Sequence, residues 1–139
     1  MRYTGLRFKK IEAEKMEDST GGNINVNSHF NLGKVKKEED FTKDSEKPIF
    51  SFEFVYDIEY EKVAKISFKG TIYIEIEEKS IIKELEEDNP KITDNTLRKF
   101  ILDIVLARAH VESLHLEEKL NLPFHIQSPR VSIGEKENQ

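Results

Sequence analysis

The sequence predicts an α+β fold, a four-stranded curled antiparallel sheet followed by a short and then a long α-helix. Three observations predict it. Apolar and polar residues alternate at period two between residues 49 and 77. Two earlier segments, Leu6–Lys15 and Ile24–Glu38, alternate more loosely. From Asp94 to Leu120 there is neither Pro nor Gly, and apolar residues recur at helical spacing. Period two places successive side chains on opposite faces of a strand, whereas a period near 3.6 gathers them into a helical stripe. Strands that precede the helices and follow one another through turn residues make an antiparallel sheet.

The first strand segment changes phase near Lys9-Lys10, which predicts a β-bulge. Ser19-Thr20-Gly21-Gly22-Asn23 reads as a turn, and Ile24, Val26, Phe30 and Leu32 share a phase in the second segment. A polar connection, Glu38 to Pro48, leads to the third strand, where Phe50, Phe52, Phe54, Tyr56, Ile58 and Tyr60 are in phase. After Glu61-Lys62-Val63 the pattern resumes with Ala64, Ile66, Phe68, Ile72, Ile74 and Ile76. Pairing Tyr60 with Ala64 carries the register to Phe50 opposite Ile74 and puts every apolar pair on one face. It also seats Gly70 across from Phe54 and Glu59 across from Lys65. A slip of one residue would send one strand's apolar set to the wrong face. The turn lacks the Gly or Asn that short hairpin loops favour.

Ser80 to Asp88 predicts a short helix with Ile81, Ile82 and Leu85 on one face, stopped by Asn89-Pro90. Thr93 or Asp94 caps the long helix that follows. Its apolar residues fall into two stripes: Leu97, Ile101, Ile104, Val105, Val111 and Leu114 in the first, and Leu102, Leu106, Ala109 and Leu116 in the second. A helix lying on one sheet needs a single stripe, so the second predicts a further burial surface. A homo-oligomer partner is the economical occupant, and the N-terminal segment or the tail is the alternative. Beyond Leu120, Pro123 and Pro129 exclude helix. Leu122, Phe124, Ile126, Val131 and Ile133 alternate there, so the tail is expected to dock in an extended path. Residues 1–139 are expected to form one domain with loose ends at about 1–3 and 134–139.

Composition narrows the chemistry. The 139 residues are 37% apolar and 35% charged, with a formal net charge of -5, so there is no surplus of positive charge to neutralise phosphates. Nucleic acid is not expected as a partner. There is no cysteine, which excludes disulfides, thiolate metal sites and cysteine nucleophiles. No run approaches the roughly 18 apolar residues of a membrane span, and the start lacks the apolar stretch of a signal peptide. No membrane insertion and a cytoplasmic location are the expectation. His29, His110, His115 and His125 show no i, i+4 pairing of two ligands on one helical face, so no metal is expected. Gly21-Gly22 is followed by neither Lys-Ser/Thr nor a helix start, and no Gly-flanked nucleophile elbow occurs. The expectation is a non-enzyme without cofactors. Glu53, Asp57, Glu59, Glu75 and Glu77 lie on the polar phase of the hairpin strands, as a solvated acidic face able to dock a basic partner.

Three stretches, INVNSHFNL (Ile24–Leu32), FSFEFVYDIEYEKVAKISFKGTIYIEI (Phe50–Ile76) and NLPFHIQSPRV (Asn121–Val131), together with their order, resemble the SecB-like chaperones, in particular small archaeal relatives of bacterial SecB. The resemblance implies a dimer of dimers and ATP-independent holding or targeting of unfolded or nascent polypeptides in apolar grooves. Such grooves are bordered by the region before the long helix and by the helix itself, which implies Ile81, Ile82, Leu85, Leu122, Phe124 and Ile126 as peptide-binding residues. The long helices of the family pack between subunits, which implies Leu102, Leu106, Ala109 and Leu116 as interface. The sequence departs from the family at KSIIKELEEDNPKITDN, which is charged where bacterial relatives carry a Gly-rich apolar loop. The alternative reading is a non-enzymatic adaptor, including a toxin–antitoxin or export adaptor, that holds one folded partner on the face formed by Glu53, Asp57, Glu59, Glu75 and Glu77.

Overall fold

In the computed structural model, which describes residues 1–17, 24–38 and 47–125, four strands precede two helices. They are β1 (Arg2–Lys15), β2 (Val26–Lys37), β3 (Ile49–Tyr60), β4 (Ala64–Glu75), α1 (Lys79–Leu85) and α2 (Asn95–Lys119). The sheet order is β1-β4-β3-β2 and every pair is antiparallel. The expected turn at 19–23, most of the 38–48 connection and the tail from 126 lie outside the described residues.

The hairpin pairs in the register the alternation predicts, from Tyr60 opposite Ala64 to Phe50 opposite Ile74, with Gly70 facing Phe54 and Glu59 facing Lys65. The twelve inward apolar side chains, Phe50 to Tyr60 and Ala64 to Ile76 in alternation with Gly70 between Phe68 and Ile72, are buried. Phe8 and Phe54 meet edge to face above Gly70, with ring centroids 6.1 Å apart.

The three-residue turn holds Glu61 at φ 44° without glycine. Neighbouring strand ends supply the compensation. The Val63 carbonyl accepts N–H bonds from Met16 at 2.6 Å and Glu17 at 3.1 Å, and the Glu61 carboxylate accepts the Asn25 N–H at 2.7 Å.

The predicted bulge appears between Phe8 and Lys10, and β1 has another between Tyr3 and Gly5. Arg2 and Tyr3 already pair with Glu75 and Ile74, so the first residues, expected to be loose, belong to the sheet. The Met1 ammonium reaches Glu78 at 3.2 Å. A further register shift separates Leu32 from Val35 in β2.

Asp94 caps α2, its side chain accepting the Leu97 N–H at 2.8 Å. Thr93 instead donates both its N–H and its hydroxyl to Glu84, each at 2.7 Å, tying the connection to α1. At the other end Asn121 adopts φ 54°. The Leu122 N–H returns to the Glu117 carbonyl at 2.9 Å and the Asn121 N–H to that of Glu118 at 3.3 Å, a Schellman closure. That reversal sends Leu122 into the core.

The helix faces are not divided as the two-stripe reading expects. The buried row is Leu97, Ile101, Val105, Ala109, Ser113 and Glu117, four residues apart throughout. Ala109, expected at an oligomer interface, is therefore enclosed by its own sheet. Val111, expected in the core, is 68% exposed. Each step of four residues turns about 40° beyond a full circle, so a row that stays in contact with a sheet over a long helix winds around it. Fixed stripes mix such a row with its flanks. Leu102 and Leu106 descend one flank in steps of four, whereas Phe100, Ile104 and, three steps further, Leu116 descend the other; all are half-buried. Among the described residues no helix is long and apolar enough to cross a membrane.

Candidate functional site

β2 closes one edge of the sheet, so alternate residues along it turn N–H and C=O groups away from β3. Its inward side chains Phe30 and Leu32 are only half covered, because the buried row of α2 lies over the middle of the sheet. Between this edge and α2 runs an open groove of about 600 Å³. Phe30, Leu32, Pro90, Ile92 and Leu102 supply its apolar surface, with Asn31 and Gly33 on the strand side and Lys91, Arg98 and Lys99 on the rim. Arg98 donates to the Ile92 carbonyl at 3.2 Å, which fixes the connection against the first turns of α2. The β2 register shift beyond Leu32 ends the regular strand edge at the groove.

The residues expected to bind peptide are not brought together. Ile81 and Leu85 are buried and Ile82 is half-buried in the cluster that also holds Phe50, Ile74, Ile76 and Leu97. Leu122 is buried in the second cluster with Tyr56, Phe68 and Ala109. Phe124 is 50% exposed, and Ile126 lies outside the described residues. Of the residues expected at an interface, Leu102 forms a wall of the groove, and Leu106 and Leu116 pack in part against the second cluster.

The sheet's outer face is mixed in charge and not acidic. Glu53 faces Lys9 at 3.5 Å, Glu77 meets Lys47 at 2.8 Å, and Glu75 is buried in an ion pair with Arg2. Lys47 also holds the Glu77 carboxyl below the usual carboxylate range through its hydrogen bond and charge. Asp57 accepts the Ser67 hydroxyl at 2.5 Å, and Glu59 sits opposite Lys65. A shallow depression on this face is lined by Lys10, Lys65 and Lys69 as well as Glu12, Glu14 and Asp57. Cross-strand pairing of opposite charges thus cancels the field that the five carboxylates alone would project.

One buried polar cluster was not legible as a site. Glu117, fully buried on α2, accepts the Tyr60 hydroxyl and the His125 N–H at 2.9 Å. The His125 Nδ1 lies 3.0 Å from both carboxylate oxygens and donates to them. Burial, and then the hydrogen bond to the carboxylate, raise Tyr60 well above the ordinary phenol range, so its hydroxyl remains a donor. The His110 ring packs 4.9 Å from His125, edge to face, and 6.4 Å from Tyr56. Burial lowers the His110 pKa first, the neighbouring His125 adds to this, and Glu117 opposes both. The unfolded chain returns His110 to about 6.5, so below that value the unfolded state binds the extra proton. His110 is thus expected to leave stability intact above about pH 6.5 and to reduce it as pH falls toward its lower folded value. Thermal melts between about pH 7.5 and 5.5 check this, with His110→Leu flattening the dependence.

This network is structural in geometry: its carboxylate is closed off, and no group of three or more metal-ligating side chains able to hold an ion occurs among the described residues. The groove is open, with apolar walls, a cationic rim and the edge strand β2 along one side. A curled four-stranded antiparallel sheet carrying two helices is the SecB-like fold. No protein-family model matches the chain, and no curated protein matches it in sequence. Among solved structures, the SecB-like chaperone Rv1957 of Mycobacterium tuberculosis, in complex with a ChAD peptide from the Rv1956 HigA1 antitoxin, superposes with a TM-score of 0.55. The two share 12% sequence identity over 95% of this chain and 91% of that one.

Proposed function

We propose that this protein is a chaperone that holds unfolded or nascent polypeptide, without nucleotide, in the groove between β2 and α2. The observation that carries the reading is the coincidence of apolar groove walls with β2, the outermost strand of the sheet among the described residues. An unfolded chain offers what such a site takes: exposed apolar side chains and backbone donors and acceptors, with no need for a defined sequence. The SecB-like fold supports the reading, and the nearer kinship to archaeal members belongs to it as well. So do a cytoplasmic location, a role in folding or transport, and the absence of catalysis.

Assembly as a dimer of dimers is part of the same proposal, with the half-buried Leu102, Leu106 and Leu116 of α2 among its contact residues and the buried Ala109 excluded. Ile11 and Met16 on and beside β1, and Val111 on α2, are the exposed apolar residues that such packing would cover. The mass in solution, read by light scattering, distinguishes a tetramer from a lone subunit.

Purified protein free of nucleotide is expected to slow aggregation of a chemically unfolded client near stoichiometric ratio, and Leu102→Glu to abolish most of the effect while leaving the melting temperature within a few degrees. Light scattering of the diluted client measures this. Unimpeded aggregation with no capture of unfolded chain would sink the reading. The adaptor alternative keeps support from the antitoxin peptide held by the structural neighbour. Under it, the protein binds one folded partner stoichiometrically and leaves unrelated unfolded clients alone.

A further inference from the structure

We infer that the groove selects extended segments in which apolar residues are flanked by carboxylates, so that its preferred clients are acidic and not basic. The inference rests on the proposed function and names the substrate class of the same site. Among the described residues, every charged side chain lining the groove is cationic: Lys91, Arg98 and Lys99. None of the described carboxylates lines it, although acidic residues outnumber basic ones 27 to 22 along the chain. That local reversal contrasts with the outer sheet face, where acids and lysines alternate.

The surrounding groups leave the cations available to a ligand. Arg98 spends one guanidinium nitrogen on the Ile92 carbonyl, and its other donors remain for a bidentate carboxylate contact. Lys99 pairs with Asp103 at 2.7 Å, but both side chains are largely exposed, so the pair exchanges readily for a ligand's carboxylate. Asp94, between Lys91 and Arg98 in sequence, accepts the Leu97 N–H through Oδ1.

Geometry sets the spacing. A peptide added along β2 presents every second side chain to Phe30, Leu32 and Leu102, at roughly 6.5–7 Å per pair of residues. Lys91 belongs to the connection ahead of α2, while Arg98 and Lys99 belong to its first turns, so the cations border the apolar walls. Acidic residues just outside the apolar run of a client therefore meet positive charge, and basic ones meet repulsion. Apolar contact and backbone pairing hold the chain; the rim decides which chain.

The test uses three dye-labelled peptides with one alternating Leu/Ser centre, flanked by Glu, by Gln or by Lys, titrated with the full chain and read by fluorescence anisotropy. The Glu-flanked peptide is expected to bind about tenfold tighter than the Lys-flanked one at low salt, with the Gln-flanked peptide between them. The ratio shrinks toward unity at about 0.5 M salt and in a Lys91→Gln, Lys99→Gln variant, which keeps the Arg98 bond to the Ile92 carbonyl and whose melting temperature and circular dichroism check that the fold is intact. Equal binding of all three peptides overturns the charge selection and leaves the groove standing. Tighter binding of the Lys-flanked peptide overturns it as well. Binding of none overturns both this inference and the function on which it rests.

Discussion

Glu117→Ala is expected to destabilise the protein by about 3–5 kcal/mol, the largest effect of any single substitution on α2. The loss has two origins. The Tyr60 hydroxyl, the His125 N–H and the His125 ring nitrogen lose their common acceptor at once, and each buried donor left without a partner costs about 1–3 kcal/mol. Truncation also opens a cavity beneath the Schellman closure that returns Leu122 to the core. Glu117→Gln separates shape from charge: it keeps the volume and one acceptor oxygen, and is expected to lose roughly half as much. Urea denaturation followed by far-UV circular dichroism measures both. An effect below about 1 kcal/mol for Glu117→Ala would mean that the tail is not anchored there.

The second large effect is expected at Gly70. A Cβ at this position would stand 2.3 Å from the Arg7 carbonyl oxygen and 2.8 Å from Cζ of Phe54. A phenyl ring can rotate away, but the carbonyl belongs to the backbone of β1. Relief therefore requires β1 to separate from β4 where Phe8 pairs with Gly70, next to a bulge. Gly70→Ala is expected to lose about 3 kcal/mol or more, at the upper end of ordinary overpacking, because the clash is with main chain. Gly70→Val is expected to leave little soluble protein. Denaturant titration of the alanine variant and soluble yield of the valine variant are the measurements. Near-wild-type stability in Gly70→Ala would mean that β1 does not cross β4 in this register.

The contrast between these two residues shows what the sequence discloses. Gly70 is visible because β3 and β4 alternate strictly, so only one register puts all their apolar residues on one face, and that register sets glycine against Phe54. The bulge near Lys9 is visible for the same reason, as a break in period two. Glu117 is not visible, since a glutamate amid Glu118 and Lys119 reads as a solvated helix end. Its partners Tyr60 and His125 lie 57 and 8 residues away. The same blindness misassigned the helix. Ser113 and Glu117 belong to the buried row despite their polarity, and Val111 stands outside it despite its apolar side chain. Hydrophobicity alone therefore drew stripes that the winding contact row does not follow.

The groove was half legible. Of the second stripe, expected to mark a further burial surface, Leu102 lines the groove while Ala109 is buried in the subunit's own core. The counterpart of Leu102 was present as well, in the phase of Phe30 and Leu32 on an edge strand. Their juxtaposition depends on the sheet order, in which the second strand in sequence is the last in space. Nor could the acidic face be judged from the hairpin alone, because Lys9 and Arg2 arrive from β1.

Hydrogen–deuterium exchange of the protein with and without a chemically unfolded client tests the groove most directly. A client seated as an added strand satisfies the outward N–H groups of β2 and covers the connection before α2. The expected result is slowed exchange confined to Val26–Leu32 and to residues 91–92 and 98–102, with β1 and the outer face of β4 unchanged. Protection at β1 instead, or none at β2 under conditions where the client is bound, would contradict the assignment.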